Sequence, residues 1–505
     1  MANVTPAQAD TNEQPPSSEV RRLTSGARPT FLLMSGRMVA FAATFLLPVV
    51  LARALTQTEF GTYKQLFLLY ATLYYIAQFG IAESLFYFLP SASTMAGRYL
   101  TNAMACLAVT GVACLVFLDA AAGALARWLN NPAIAQYTTL VGVFLLLMLV
   151  SSVLEIAMVT RGRYLLASAT YGVSDVSRAM FFAAPAVLFR SVHALLVGAV
   201  AFATVRLAIT LGYLIRSFRA EMRPERVALV QQLRYTVPFG LATMMEICQA
   251  NLHLFAVSYY VDAATFAIYA VGCLQVPIVD LVATSAGNVM MVRMTDDRRS
   301  GVTSDSLPIW QETVRHLALV LVPLVALLLI TARPLIVLLF TEQYAAAAPI
   351  FMIWSLAILP AVFMTDAALR AYAQTRVLLL LNVVRLAFIA ALIPFAITTF
   401  GLTGAVLLTV GATVLTKALG LMQVARVMRV TPGALIPWGT LGATAAASAI
   451  AAAVAYGALS TIALPAVGAL ALTTAVFGAV YLVCLSLFGV TTVSNLCVAL
   501  RASSA

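Results

Sequence analysis

Apolar runs long enough to cross a bilayer recur along the whole chain, separated by short polar turns. Fourteen are read, at roughly 31–54, 62–89, 98–119, 137–160, 165–189, 193–216, 235–260, 264–292, 312–332, 346–374, 377–397, 402–426, 433–457 and 463–488. The stretch from Ala52 to Pro90 shows the pattern best. An apolar helix ends near Ala54, a polar turn (Thr56, Gln57, Thr58, Glu59) follows, and a second apolar helix runs on to Pro90. The residue before a proline disfavours helical geometry, so that helix stops there.

Composition agrees. The 505 residues are 62% hydrophobic and 10% charged, against about 25% charged in a soluble domain. The chain is therefore read as an all-α polytopic membrane protein. Net charge is +11, nearly all from arginine. A nucleic-acid partner would need a soluble basic face. Here the arginines sit in short loops, where they report topology. Nineteen of the thirty basic residues fall on the face that holds both termini, five on the other, and six inside spans. This bias predicts that both termini are cytoplasmic. The six cysteines lie in apolar runs with no CxxC and no Cys/His cluster, so buried thiols are expected and no metal. Residues 1–30 read as a disordered cytoplasmic tail with no apolar signal core.

The two halves resemble each other. Glu59-Phe60-Gly61-Thr62-Tyr63 opens the second run and Thr265-Phe266-Ala267-Ile268-Tyr269 the eighth, 206 residues on. Asp175-Val176-Ser177-Arg178 in the fifth lines up with Asn382-Val383-Val384-Arg385 in the eleventh, 207 residues on. The expected organisation is an N-lobe of six helices (31–216), a cytoplasmic amphipathic linker (217–234) and a C-lobe of six helices (235–426). Two appended helices (433–488) and a cytoplasmic tail (489–505) follow. Parallel repeats of this kind are a transporter architecture with the substrate site between the lobes.

Charges inside the spans are the candidate chemistry, because each costs about 2.5–3.5 kcal/mol at the bilayer centre on insertion scales. They are Arg37, Glu83, Asp175 with Arg178, Arg206, Glu246, Asp280, Asp366 with Arg370, Arg385 and Lys417. Asp366 and Arg370, four apart, are expected as an intrahelical ion pair, and Asp175 with Arg178 as a similar one. Glu246 and His253 share a polar stripe with Thr243 and Gln249, while Asp280 follows the helix-weakening Pro277. That points to a wet cavity, although His253 could equally be a hydrogen-bonded core histidine. Tyr63, Phe67, Tyr70 and Tyr74 form an aromatic face suited to stacking on sugars or to helix packing. No P-loop, HExxH, G-x-S-x-G or external acid pair is present, so catalysis has no visible seat.

The pattern A-R-x-L-(x)4-F-G-x-Y, then F-G-(x)8-L-P, resembles the N-terminal signature of polysaccharide-export flippases. These belong to the multidrug/oligosaccharidyl-lipid/polysaccharide exporter superfamily. Here it is Ala52-Arg53-Ala54-Leu55, Phe60-Gly61-Thr62-Tyr63, and Phe79-Gly80 through Leu89-Pro90. The resemblance implies a bacterial inner-membrane protein that moves an undecaprenyl-pyrophosphate-linked oligosaccharide between leaflets, two lobes rocking around a central cavity. Exopolysaccharide, capsule or O-antigen assembly would follow, with a polymerase and a chain-length regulator as possible partners. A cavity lined by spans one, two, seven and eight places Arg37, Glu83, Glu246, His253 and Asp280 in it. Arg37, with Arg178 and Arg206 in reserve, would hold the pyrophosphate. Glu83, Glu246 or Asp280 would meet sugar hydroxyls or a coupling proton or sodium ion, and no other cofactor is expected. Rival readings are a cation-coupled multidrug antiporter, a peptidoglycan-precursor flippase, and a membrane polymerase, ligase or glycosyltransferase.

Overall fold

The structure, a computed structural model, describes residues 43–91, 95–218, 222–299, 306–461 and 466–489. They are helical throughout. In chain order the N-terminal half holds α1 (Ala43–Ala54), α2 (Gln57–Gln78), α3 (Ile81–Ser91), α4 (Ala96–Ala120), α5 (Thr138–Ser151), α6 (Val153–Thr160), α7 (Tyr164–Phe189) and α8 (Val192–Phe218). The C-terminal half holds α9 (Arg226–Tyr260), α10 (Ala263–Gly272), α11 (Pro277–Arg299), α12 (Ser306–Phe340), α13 (Ala348–Ser355), α14 (Thr365–Ala371) and α15 (Thr375–Met428). Two further helices, α16 (Trp438–Thr461) and α17 (Ala466–Leu487), end the described chain. Among the described residues ten helices are long and apolar enough to cross a membrane, eleven if the bent pair α10–α11 is one span.

Several helices are composite. The 54 residues of α15 would measure about 81 Å in one piece, nearly three bilayer cores. Gly401 breaks it with φ 60° and ψ −145°, a conformation only glycine adopts readily, so two legs (375–400 and 402–428) meet in a turn. Between α2 and α3 the left-handed Phe79 and Gly80 bend the span. Between α10 and α11 four residues interrupt the helix at an angle of 47°. The expected separate helix over 217–234 does not form among the described residues. Instead α9 begins at Arg226 and runs through Pro238 into the bundle as one helix.

The repeat is visible in the caps. Thr56 caps α2 in a capping box with Glu59, and Asp262 caps α10 by accepting from the Thr265 N–H at 3.0 Å, 206 residues later. These two hairpins meet at one face of the bundle, termed here the gate face. The opposite face carries the turn between α14 and α15 and the start of α9. At the gate face one buried cluster runs across both halves through Leu51, Phe60, Leu129, Ala267, Phe340 and Tyr344. At the opposite face α9 is seated on the N-terminal half. Asn102 and Glu225 exchange backbone–amide hydrogen bonds, Arg98 pairs with Glu225 at 2.8 Å, and Gln232 donates to Ser84 at 2.9 Å. The added helices α16 and α17 pack through Ala447, Ala451, Phe477 and Tyr481 onto α12, where the Tyr481 hydroxyl donates to the Leu319 carbonyl at 2.9 Å.

Candidate functional site

A cavity of about 880 Å³ lies between the two halves. Its N-terminal wall is Thr44 and Pro48 from α1 with Tyr63, Lys64 and Phe67 from α2. Its C-terminal wall is more polar: Glu246, Gln249, Asn251 and His253 from α9, Gln275 and Asp280 around the α10–α11 break, Asp366 and Arg370 from α14, and Asn382, Arg385 and Thr409 from α15. Arg370 and Leu378 flank the α14–α15 turn, so the cavity reaches toward the arginine-rich face. On the other side it ends at Tyr63 and Phe266, beneath the closed gate face.

Arg385 organises the C-terminal wall. Its guanidinium donates to the Thr413 hydroxyl at 3.0 Å. It also donates to the Gln249 amide oxygen at 3.1 and 3.3 Å, with the amide turned so that its nitrogen donates to Asn382 Oδ1 at 3.3 Å. All these hydrogen-bond partners are neutral, and Asp366, which also acts on Arg385, does so beyond ion-pair distance and is itself paired with Lys417. Glu246, Asp280 and Arg370 are exposed on the cavity wall, and none of them joins an ion pair among the described residues. Buried His253 shares a hydrogen bond with the Tyr269 hydroxyl at 2.9 Å and lies 5.3 Å from the Trp354 ring. It is a hydrogen-bonded core histidine whose edge reaches the cavity.

Other sequence candidates lie elsewhere. Arg37 falls outside the described residues. Arg206 is spent in a buried ion pair: both Glu155 oxygens accept from it at 2.8 Å, and it also bonds the Ser174 hydroxyl. Arg178 pairs with Asp175 at 3.1 Å and reaches Thr44 at 3.4 Å. Neither arginine lines the cavity. Glu83 does not line it either. The Phe79–Gly80 bend carries it away on α3, where its Oε2 is buried without a partner among the described residues. Asp366 does not pair with Arg370. It accepts from Lys417 at 2.7 Å, because the second leg of α15 brings that ammonium closer. The aromatic face divides. Tyr63 and Phe67 reach the cavity, whereas Tyr70 packs 4.7 Å from Phe144 and 5.7 Å from Tyr74, inside the N-terminal half.

Sequence reasoning missed Lys64, counted only among the basic residues of the outer loops, and Glu155, hidden in an apolar window. The helical spacing of Gln249 with Glu246 did signal the polar wall. Among the described residues no group of His, Cys, Asp and Glu could hold a metal ion.

Two related helical halves thus enclose a polar cavity that is shut at one face. Residues 50–349 match the family model described as polysaccharide biosynthesis protein, and the chain belongs to that family. Among solved structures the chain is similar to the lipid II flippase MurJ in an inward closed conformation. That match has TM-score 0.73 and 12% identity, covering 91% of this chain and 98% of that one. It is also similar to an inward-facing multidrug-resistance MATE family transporter of the MOP superfamily (TM-score 0.53, 13% identity, 77% and 96% covered). A third similar structure is a MOP superfamily transporter from Pyrococcus furiosus (0.51, 13%, 80% and 95%). At these identities the likeness concerns the fold. No curated protein sequence matches this chain.

Proposed function

We propose that this protein flips an undecaprenyl-pyrophosphate-linked oligosaccharide across a bacterial cytoplasmic membrane by alternating access. In this reading it has fourteen spans and both termini in the cytoplasm, so the cavity reaches toward the cytoplasmic face. The observation that carries the reading is the C-terminal wall, where, among the described residues, Arg370 has no ion-pair partner and Arg385 is hydrogen-bonded only to neutral groups. A diphosphate needs uncancelled cations, and arginine suits its geometry. These two arginines take the role expected of Arg37, with Arg178 and Arg206 in reserve. Glu246, Asp280, Asn251 and Asn382 supply acceptors and donors for sugar hydroxyls, and Tyr63 and Phe67 offer ring faces. The cavity volume is near the upper end of the ~300–1,000 Å³ usual for small-molecule sites, large enough for a saccharide head group while the lipid stays in the bilayer.

Arg385→Ala and Glu246→Ala are each expected to abolish surface polysaccharide at unchanged protein level, measured by immunoblot beside a polysaccharide stain. Normal export by both variants would refute the site. A second reading, a cation-coupled antiporter, is favoured by the unpaired Glu246 and Asp280. It predicts resistance to cationic drugs on overexpression and no polysaccharide defect on deletion. A proton or sodium ion at these acids could also drive the flippase cycle.

A further inference from the structure

The family signature lies where the two halves are joined at the gate face. Arg53 donates to the Leu339 carbonyl at 3.1 Å and to that of Leu338, capping the end of α12. Gln57 donates to the Gln343 carbonyl and Gln343 to that of Ala52, each at 3.3 Å. The Phe60 and Tyr344 rings meet edge-on at 5.7 Å. A Cβ on Gly61 would come within 1.8 Å of the Ala263 carbonyl oxygen, so backbone meets backbone there.

Gln65 closes the seam. It is fully buried. Its amide nitrogen donates to the Ser258 hydroxyl at 2.8 Å and to the Leu129 carbonyl at 2.9 Å, and its oxygen accepts from Asn131 at 2.6 Å. Leu129 and Asn131 belong to the N-terminal half and Ser258 to α9, so one of these bonds crosses the seam and is lost when α9 and α2 part. Separation strands buried donors unless water follows. The adjacent residue faces the other way. Lys64 lines the cavity at its closed end, lies 5.4 Å from the Phe60 ring centre, and has no acid in salt-bridge reach among the described residues.

We infer that Lys64 and Gln65 form a trigger and latch: Lys64 binds an anionic head group at the closed end of the cavity, and Gln65 is the catch that the occupied cavity releases. Neighbouring positions on one helix cannot move independently. An anion that draws Lys64 inward turns Gln65 against its bonds to Ser258 and Leu129. The signature is thus the moving joint of the transporter and lies outside its binding wall. This rests on the flippase reading for the nature of the anion, while the latch itself rests on geometry alone.

The test uses the full chain in proteoliposomes, with Cys273, which lines the cavity, kept as the sole cysteine. A membrane-impermeant maleimide is applied from the gate-face side. Gln65→Ala and Ser258→Ala should each raise labelling of Cys273 about tenfold, the shift expected for losing about one hydrogen-bonded rung. Gly61→Val should act in the same direction by wedging the seam. In the otherwise native chain inorganic pyrophosphate should raise labelling, and Lys64→Met should remove that response. Unchanged labelling in Gln65→Ala and Ser258→Ala overturns the latch. A full pyrophosphate response in Lys64→Met overturns the trigger. Transport is not read, so failure of the flippase reading would leave the labelling result standing.

Discussion

The two halves treat the same pair of positions in opposite ways. In the N-terminal half Asp175 neutralises Arg178 at 3.1 Å, three residues along one helix. At the related place in the C-terminal half Asn382 stands before Arg385 and cannot neutralise it. The contrast extends beyond this pair. The N-terminal half also cancels Arg206 against Glu155 and fills its interior with Phe144, Phe182 and Tyr70. The C-terminal half leaves Glu246, Asp280, Arg370 and Arg385 facing a cavity. At this pair one repeat has become a scaffold and the other has kept its charge for a ligand. The difference at the matched position is a single carboxylate.

The largest effect should follow from attacking the scaffold. Glu155→Ala leaves Arg206 buried and unpaired, at a cost of about 3–5 kcal/mol. A sharp fall in the thermal midpoint of the detergent-solubilised protein is expected, and an unchanged midpoint would show that the pair is not structural. Next, Asn382→Asp gives the C-terminal half the same carboxylate as its mate. Export should drop at least tenfold, corresponding to about 1.4 kcal/mol, with protein level held. Wild-type export would mean that Arg385 need not be free.

Smaller effects separate the two hairpins. Asp262→Ala removes the α10 cap, worth about 0.5–2 kcal/mol. Hydrogen bonds from the Thr265 side chain and backbone hold the Asp262 carboxyl below its ordinary range. Its contribution is therefore present at neutral pH and lost as pH falls through that range. The gap between wild type and Asp262→Ala in thermal midpoint should close in acid. Smallest of all, Asp175→Asn gives up a partly exposed i,i+3 pair worth about 0.2–0.5 kcal/mol. It should leave export nearly intact, and a null phenotype would place Arg178 in the binding wall after all.

Much of the fold could be read in the chain because bilayer length and hydropathy impose it. The run read at 165–189 is the helix Tyr164–Phe189, and the hairpin spacing of 206 reappears in the two caps. The site was harder to read because pairing is a tertiary fact. Nothing near Asp366 in sequence names Lys417, 51 residues on. Lys64 looked like a loop residue because α2 begins with polar side chains. Arg206 looked available because Glu155 was lost among apolar neighbours. The signature residues identified the family through contacts that only the folded seam displays.

The α10–α11 interruption carries one more consequence. Beside it the chain tightens into a 3-10 stretch, Leu356–Val362, and a small crevice lined by Gln275, Asp280, Trp354 and Ile358 lies between the two. Peptide groups outside regular helices cannot face lipid, because hydrocarbon offers them no hydrogen bonds. This part of the bundle must therefore face protein or the water-filled cavity. In deuterium exchange its amides should exchange ahead of those in the flanking turns of α11 and α13, marking the wet route through an otherwise dry protein.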